Sequence, residues 1–204
     1  LVTRDGFGNG AREVELTGEA LFTVVHDATR PFRVIVGGTV VEDLGTEFAV
    51  RGYGDSPRVR VAVASGSVAI RHGLGPDTAV VLAPRDVATV GDSGVVAVQR
   101  GIDVSPFTAF SSGRLIFVDT PLSEVAAELT RWYGVEVRIT DASLVDKHLT
   151  VTFEREALDE VLRIIGMSLD VRYVRDGNRV EFTGQGYTSS RPTPDARVLA
   201  EAGA

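Results

Sequence analysis

The sequence predicts two domains of different class: an all-β domain, and then a small α+β domain in the order β-α-β-β-α-β-β. Two observations lead to this prediction. Residues 11–100 alternate between apolar and polar side chains, which is the period of strands with one buried face. After residue 110 a helical phrase occurs twice: PLSEVAAEL begins at Pro121, and ALDEVLRII begins 36 residues later at Ala157. A chain that changes period once and then repeats a β-α-β unit is expected to hold two domains.

The first domain, residues 1–105, is predicted to consist of strands. Runs rich in β-branched residues are separated by turns of Gly, Pro, Asp and Ser, and no helix is predicted before residue 119. This spacing is typical of a sandwich, a barrel or a short β-solenoid, and it does not choose among them. The predicted strands are 12–16, 20–26, 32–36, 39–42, 47–53, 59–64, 67–71, 79–82, 86–90 and 95–99.

The second domain, residues 115–183, is predicted to lie between a linker at 106–114 and a flexible tail at 184–204. The linker is centred on Pro106 and small polar residues, which interrupt regular structure. The tail is rich in Gly, Ser, Pro and Ala, a composition typical of loosely ordered termini.

The first helix of the second domain is predicted to begin at or near Pro121, with Asp119 or Thr120 as its N-cap. Gly134 is expected to end it, because glycine readily adopts the left-handed conformation found after many helices. The apolar residues follow the i, i+3, i+4, i+7 pattern of one buried face: Leu122, Val125, Ala126 and Leu129.

The second helix is predicted at 157–165, ending near Gly166, and the two helices are expected to cover one small sheet. The last two strands are expected to form a hairpin through Asp176-Gly177 or, one residue along, Gly177-Asn178. The strands predicted for this domain are 115–118, 135–140, 149–153, 171–174 and 179–183.

The composition excludes several functions. The net charge is −7, and no basic stripe is present to neutralise phosphates, so nucleic-acid binding is not expected. The chain has no cysteine, which excludes disulfides, thiolate catalysis and cysteine zinc sites but does not identify a compartment. No apolar run reaches the length of a membrane-spanning helix, so we expect no membrane contact by this chain.

The motifs that could carry chemistry have simpler explanations. The three histidines lack ligand spacing, and the glycine-rich segment from Gly6 to Gly10 precedes strands rather than a helix, so neither a metal nor a phosphate site is predicted. Ser65-Gly66-Ser67 fits a β-turn, and the acidic residues near Asp159 complement a helix dipole. We therefore predict no catalytic residue, no cofactor and no enzyme.

Five residues are candidates for binding a protein partner. Arg131, Trp132 and Tyr133 close the first helix of the repeat and have no counterpart after the second helix. The alternative for Trp132 is core packing, because it lies three residues after a core leucine. Arg172 and Tyr173 lie in the strand 171–174, which could form a sheet edge that accepts a partner strand.

Several short phrases occur along the chain in a fixed order. They are GEALFTV from Gly18, RPFRV from Arg30, LGTEFAV from Leu44, VAVASGSV from Val61 and GRLIF from Gly113, followed by the first helix through Arg131-Trp132-Tyr133. Together these phrases resemble the FecR family of bacterial anti-sigma regulators. In the first domain they are similar to the family's periplasmic β-domain, and in the second to a C-terminal segment that resembles the short N-terminal domain of secretins and TonB-dependent receptors. The resemblance covers about residues 11–183.

These phrases have physical reasons of their own. Three glycines fall where a strand ends or bends, positions that favour a positive φ or close backbone approach: Gly18, Gly45 and Gly66. Three phenylalanines lie in alternating runs and would fill one interior: Phe22, Phe32 and Phe48. We therefore expect the phrases to mark the fold rather than a binding site.

Two features differ from the family pattern. Members usually carry a cytoplasmic sigma-binding region and one transmembrane helix ahead of this part. The sequence starts at Leu1 without Met, so we expect a fragment or processed piece whose membrane anchor lies outside it. Phe110 occupies a place where the family often has Trp.

The resemblance implies a periplasmic, signal-receiving part of a single-pass inner-membrane protein. The implied partner is the periplasmic signalling domain of an outer-membrane TonB-dependent transducer, most often in iron-siderophore uptake. A sigma factor of the extracytoplasmic-function class would be reached only through the absent cytoplasmic segment. Docking could use an edge at strand 171–174 or 149–153.

Two alternatives remain open from the residues. The first is an assembly or binding module of an envelope complex with no link to a sigma factor. The second, an enzyme such as a carbohydrate-active β-protein, lacks a convincing pair of carboxylates in the sequence.

Overall fold

The computed structural model describes residues 1–3, 12–54, 58–73, 79–91 and 93–185, and the chain divides into two compact units, Leu1–Gly113 and Arg114–Ala204. The segment from Gly6 to Gly10 and the predicted tail after residue 185 lie outside the described residues. The chain is rich in β structure, as predicted, with three short helices in its described part.

The described residues of the first unit form eleven strands in two sheets, and each of the ten predicted strands overlaps one of them. Sheet I has the order β1-β2-β4-β5-β8-β9, and sheet II has the order β11-β10-β7-β6-β3. The strands are β1 (Val2–Thr3), β2 (Arg12–Glu15), β3 (Gly18–Thr23), β4 (Phe32–Val36), β5 (Thr39–Asp43), β6 (Glu47–Gly52), β7 (Val59–Ser65), β8 (Val68–His72), β9 (Val80–Leu82), β10 (Val87–Val90) and β11 (Val96–Gln99).

The two sheets share one apolar core, so the first unit is the sandwich among the three predicted architectures. Val34 and Val41 of sheet I and Phe48 of sheet II belong to one buried cluster and are fully buried. The Phe22 ring lies 5.5 Å from Phe32 and 5.3 Å from Phe48, so these three rings fill one interior as predicted.

Two tight corners carry the chain between the sheets. Gly45 lies between β5 and β6, Gly66 lies between β7 and β8, and both have positive φ, at 98° and 76°. A Cβ added to Gly66 would stand 2.0 Å from the Gly45 carbonyl oxygen, so the two corners touch backbone to backbone. Thr46 fastens them further, since its Oγ1 donates a hydrogen bond to the Ser67 carbonyl at 2.7 Å. The family phrases around these glycines are therefore structural.

A short helix and a 3₁₀ turn end the first unit, so the prediction of no helix before residue 119 is wrong. Helix α1 spans Ser105–Thr108 and the turn spans Ala109–Ser112, overlapping the segment predicted as a linker. The Asp103 carboxylate accepts the Ser105 backbone N–H at 2.9 Å and supports the first turn. Four residues are too few to show a helical period in the sequence.

The second unit has the element order strand, helix, strand, strand, helix, strand, strand. Its strands form two sheets rather than the single sheet predicted. β12 pairs with β14 in an antiparallel ribbon, and sheet III has the order β13-β16-β15, with β13 parallel to β16. The elements are β12 (Arg114–Pro121), α2 (Leu122–Tyr133), β13 (Glu136–Ile139), β14 (His148–Glu154), α3 (Leu158–Leu169), β15 (Val171–Asp176) and β16 (Arg179–Gln185).

The repeated phrase supplies the core of the second unit. Both helices bury the predicted face against the two sheets, where Phe153 and Phe182 are almost completely buried. The helix residues in this core include Leu122, Val125, Leu129, Val161, Leu162 and Ile165.

The start of α2 and the end of α3 differ from the sequence prediction. Pro121 itself is the N-cap of α2, with no side-chain cap, because Asp119 belongs to a bulge of β12 and has φ 48°. Gly134 does end α2, with φ 67°. Helix α3 continues through the buried Gly166 to Leu169, and the hairpin after it turns at Gly177-Asn178.

Candidate functional site

The histidines have separate surroundings, and in the part of the chain that the structure describes no three metal-ligating side chains come together. His72 Nδ1 lies 2.9 Å from the hydroxyl of the buried Thr39. His148 Nδ1 lies 2.9 Å from Asp119 Oδ1 on the surface of the second unit. His26 is exposed.

The last turn of α2 places three of the candidate partner-binding residues at half-buried positions. Trp132 and Tyr133 pack against the core of the second unit, which is the core-packing alternative for the tryptophan. The Tyr133 hydroxyl donates a hydrogen bond to the Glu156 carbonyl at 2.9 Å. Burial, and then the Glu156 charge, raises the pKa of Tyr133. Arg131 lies 3.0 Å from Glu128 on the same helix.

The other two candidates lie on β15, an edge strand of sheet III in the described structure. Arg172 is exposed, and Tyr173 is half-buried against the core. Between them and the hairpin lies Val174, which is 53% exposed and is therefore unusually open for a strand valine. This strand combines an exposed apolar side chain with an outer position in sheet III, a combination that sequence periodicity could not reveal.

The two candidate groups lie toward different ends of sheet III. Arg172 pairs with Thr183, whereas α2 leads into Glu136, which pairs with Arg179. The two β16 positions, Arg179 and Thr183, are four residue steps apart, about 13 Å along a strand. A partner touching both groups would have to follow the length of the sheet.

The outer face of sheet III carries a lattice of opposite charges that sequence reasoning did not single out. Glu136 lies 2.5 Å from Arg138 and 3.2 Å from Arg179. Hydrogen bonds from these arginines lower the pKa of Glu136. Glu181 lies directly between Arg138 and Val174 in the sheet. The alternating charges are visible in the sequence as EVRI in β13 and RVEF in β16. Only the parallel pairing of these two strands, however, brings the charges side by side.

The other edges of the second unit are less open to a partner strand. β12 is interrupted by a bulge after Phe117 and ends at Pro121, which has no N–H to donate. β13 is only four residues long, and charged residues flank its exposed side. β14 presents Thr150 and Thr152 and no exposed large apolar side chain. β15 is therefore the edge best suited to strand addition.

None of the described helices is both long and apolar enough to cross a membrane. The described residues define the class of protein by its fold: a β sandwich followed by a two-helix α+β unit. Two family models identify the family: the FecR protein model matches residues 2–69, and the FecR C-terminal model matches residues 114–182. The chain therefore belongs to the FecR family of anti-sigma regulators.

Two crystal structures of a candidate anti-sigma factor from Parabacteroides distasonis ATCC 8503 are similar to the chain. The structure at 1.65 Å resolution has a TM-score of 0.78 and 28% identity, covering 88% of this chain and 84% of that one. The structure at 2.50 Å has a TM-score of 0.76 and 28% identity, covering 89% and 83%. No curated protein matches the chain. Regulators of this family are membrane-anchored, with periplasmic regions, and are generally not enzymes.

Proposed function

We propose that this chain is the periplasmic signal-receiving region of a transmembrane anti-sigma regulator. It receives the state of an outer-membrane TonB-dependent transducer by binding that protein's periplasmic signalling domain. A cytoplasmic segment beyond this chain passes the signal to a sigma factor of the extracytoplasmic-function class. Membership of the family through both units is the observation that carries the proposal.

The open edge of β15 supports strand addition as the mode of binding. An edge strand offers a row of backbone donors and acceptors, which give affinity, while the side chains on alternate positions give specificity. On β15 the exposed side chains include Arg172 and Val174, beside the charge lattice of sheet III. A second contact, near the hairpin end of the sheet, would be made by Arg131, Trp132 and Tyr133.

The proposal is tested by calorimetric titration of the intact two-unit chain with the periplasmic signalling domain of the transducer encoded beside it. We expect saturable one-to-one binding with a Kd of about 1 μM or tighter, which is about −8 kcal/mol. No binding by a chain that circular dichroism shows to be folded would refute the proposal. Self-association in light scattering without transducer binding would support the envelope-assembly alternative instead.

Two matched variants test whether the partner binds at the edge strand β15. Val174→Lys places a charge on β15 and is expected to weaken binding at least tenfold, because a charged side chain protects an edge from strand addition. Val118→Lys is the control, since Val118 is 59% exposed, against 53% for Val174, and lies at the bulge of β12. Equal effects of both variants would argue against docking at β15.

A further inference from the structure

A second apolar layer covers the outer face of sheet II, separate from the sandwich core. Four residues pair directly across neighbouring strands to form what we term the alanine row: Leu21, Ala49, Ala62 and Val87. Residues 101–113, which we term the strap, lie on this row and pack four half-buried side chains against it: Ile102, Val104, Phe107 and Phe110. The cluster around the row shares no residue with the sandwich core.

The strap satisfies many of its hydrogen bonds within itself. The Asp103 carboxylate holds the Ser105 N–H and hydroxyl, at 2.9 and 2.7 Å. The Phe107 N–H donates to the Val104 carbonyl at 3.0 Å, and the hydroxyls of Ser111 and Ser112 donate to carbonyls three residues earlier. If the strap left the sheet, few polar groups would lose their hydrogen bonds. The burial of apolar side chains is therefore the main contribution to the free energy that holds the strap against the sheet.

Two hydrogen bonds hold the chain at the start of the strap against the sandwich. The buried Asp86 accepts a hydrogen bond from Arg100 at 2.5 Å, and the Ile102 N–H donates to the Arg85 carbonyl at 2.9 Å. Gly101 lies between Arg100 and Ile102, has φ 67° and has open space where a Cβ would be. Its backbone is therefore free of side-chain constraints, as a hinge requires. At the other end the 3₁₀ turn stops at Gly113, and β12 begins with the next residue.

We propose that the strap is a detachable cover: it opens from sheet II as a unit, about the hinge at Gly101, while the sandwich stays folded. Opening breaks the hydrogen bonds between Ile102 and Arg85 and exposes the apolar strip that the alanine row forms. The strap continues directly into β12 along the chain. Opening and closing would give the regulator a two-state element of the kind that signalling uses.

Amide hydrogen exchange on the intact chain, without any partner, tests the cover. Opening breaks the hydrogen bond from the Ile102 N–H to the Arg85 carbonyl, so we expect the Ile102 amide, corrected for its intrinsic rate, to exchange at least about 100-fold faster than those of Leu16 and Val63 in the sandwich. The exchange rate of Ile102 should also depend less on denaturant, because local opening exposes less surface than global unfolding. Equal rates with equal denaturant dependence would show that strap and sandwich open only together, and would overturn the proposal.

Two truncations test whether the strap opens separately from the sandwich. Phe110→Ala is expected to speed exchange at Ile102 about tenfold and to leave Val63 unchanged. Val104→Ala removes less apolar surface and gives a smaller effect of the same sign, so it serves if the first variant is poorly folded. Val81→Ala, at a position 52% exposed on β9, is the control and should change neither rate. Equal acceleration at Ile102 and Val63 would contradict a detachable cover.

The test is independent of the proposed partner. A chain that binds no transducer domain can still show an opening strap, and a chain that binds one can still hold its strap closed.

Discussion

Two buried aspartates of the sandwich differ in how their carboxylates are satisfied. Asp86 and Asp43 are both 3% exposed. Asp86 accepts hydrogen bonds from Arg100 and from the Ala83 backbone N–H. Neither oxygen of Asp43, at the end of β5, has a hydrogen-bond partner among the described residues. Burying a polar group without a hydrogen-bond partner is costly, so we expect Asp43 to lower the stability of the sandwich.

Replacing each aspartate by asparagine should therefore have opposite effects. Asp43→Asn keeps the shape and removes the charge, and we expect it to raise the free energy of unfolding by about 1–2 kcal/mol. Asp86→Asn breaks a charged hydrogen bond and should lower it by a similar amount. Urea unfolding followed by far-ultraviolet circular dichroism measures both. A loss of stability in both variants would show that Asp43 has a favourable partner in solution.

Gly66 provides a second test at the residue scale. Gly66→Ala is expected to cost well above 2 kcal/mol, because the new Cβ would stand 2.0 Å from a backbone oxygen. Gly73→Ala is a matched control, since Gly73 has the same φ of 76° but open space around it, and should cost only about 1 kcal/mol. Thermal melts of the two variants give the comparison. Similar losses would mean that the corners of the sandwich can separate.

At the scale of elements, the two repeated helices end differently. α2 ends at Gly134 with φ 67°, whereas α3 ends at Asp170 with φ 50°, a conformation that suits glycine better than aspartate. Asp170→Gly should stabilise the second unit by up to about 1 kcal/mol, and Gly134→Ala should destabilise it by about as much. Trp132 is the single tryptophan, so its fluorescence during urea unfolding follows this unit alone. A loss of stability in Asp170→Gly would show that the aspartate side chain contributes more than its backbone costs.

The elements that sequence patterns predicted well are those with a full local period. The strands of the sandwich alternate along their whole length, and the helical face from Leu122 to Leu129 completes two turns, so both were visible without any tertiary information. The end of α3 was not visible, because Gly166 looks like a helix stop in the sequence. In the structure it is a buried position inside the helix, where tertiary packing outweighs its low helix propensity.

Features that depend on distant residues could not be predicted. The division of the second unit into a ribbon and sheet III depends on which strands pair, and β13 meets β16 across more than forty residues of sequence. The candidate site shows the same limit. Arg172 and Tyr173 could be named from a local pattern, but the charge lattice beside them exists only because Glu136 and Arg179 become neighbours.

At the scale of the whole molecule, acid should weaken both units. The pKa of Asp27 is lowered to about 2, first by a hydrogen bond from Thr29, and Arg33 lowers the pKa of Glu42. A carboxylate whose folded pKa is depressed contributes stability that is present above its unfolded pKa and is lost as pH falls through the folded value. The second unit has similar groups at Glu136, Asp141 and Glu160.

We therefore expect the melting temperature of each unit to stay level from pH 7 to about 5 and to fall steadily from about pH 4.5 to 2. Circular dichroism and Trp132 fluorescence, recorded during thermal melts across this range, separate the two units. A melting temperature that stays constant down to pH 2 would mean that these hydrogen bonds are no stronger than those of the unfolded chain with water.

The central claim is that the second unit receives a partner strand at β15. Hydrogen exchange of the chain, recorded with and without a saturating amount of the transducer's periplasmic signalling domain, tests this claim most directly. The account predicts slower exchange concentrated in Val171–Asp176, by at least about tenfold, with Val174→Lys abolishing that protection. Protection confined to the first unit, or no protection at any concentration, would contradict it.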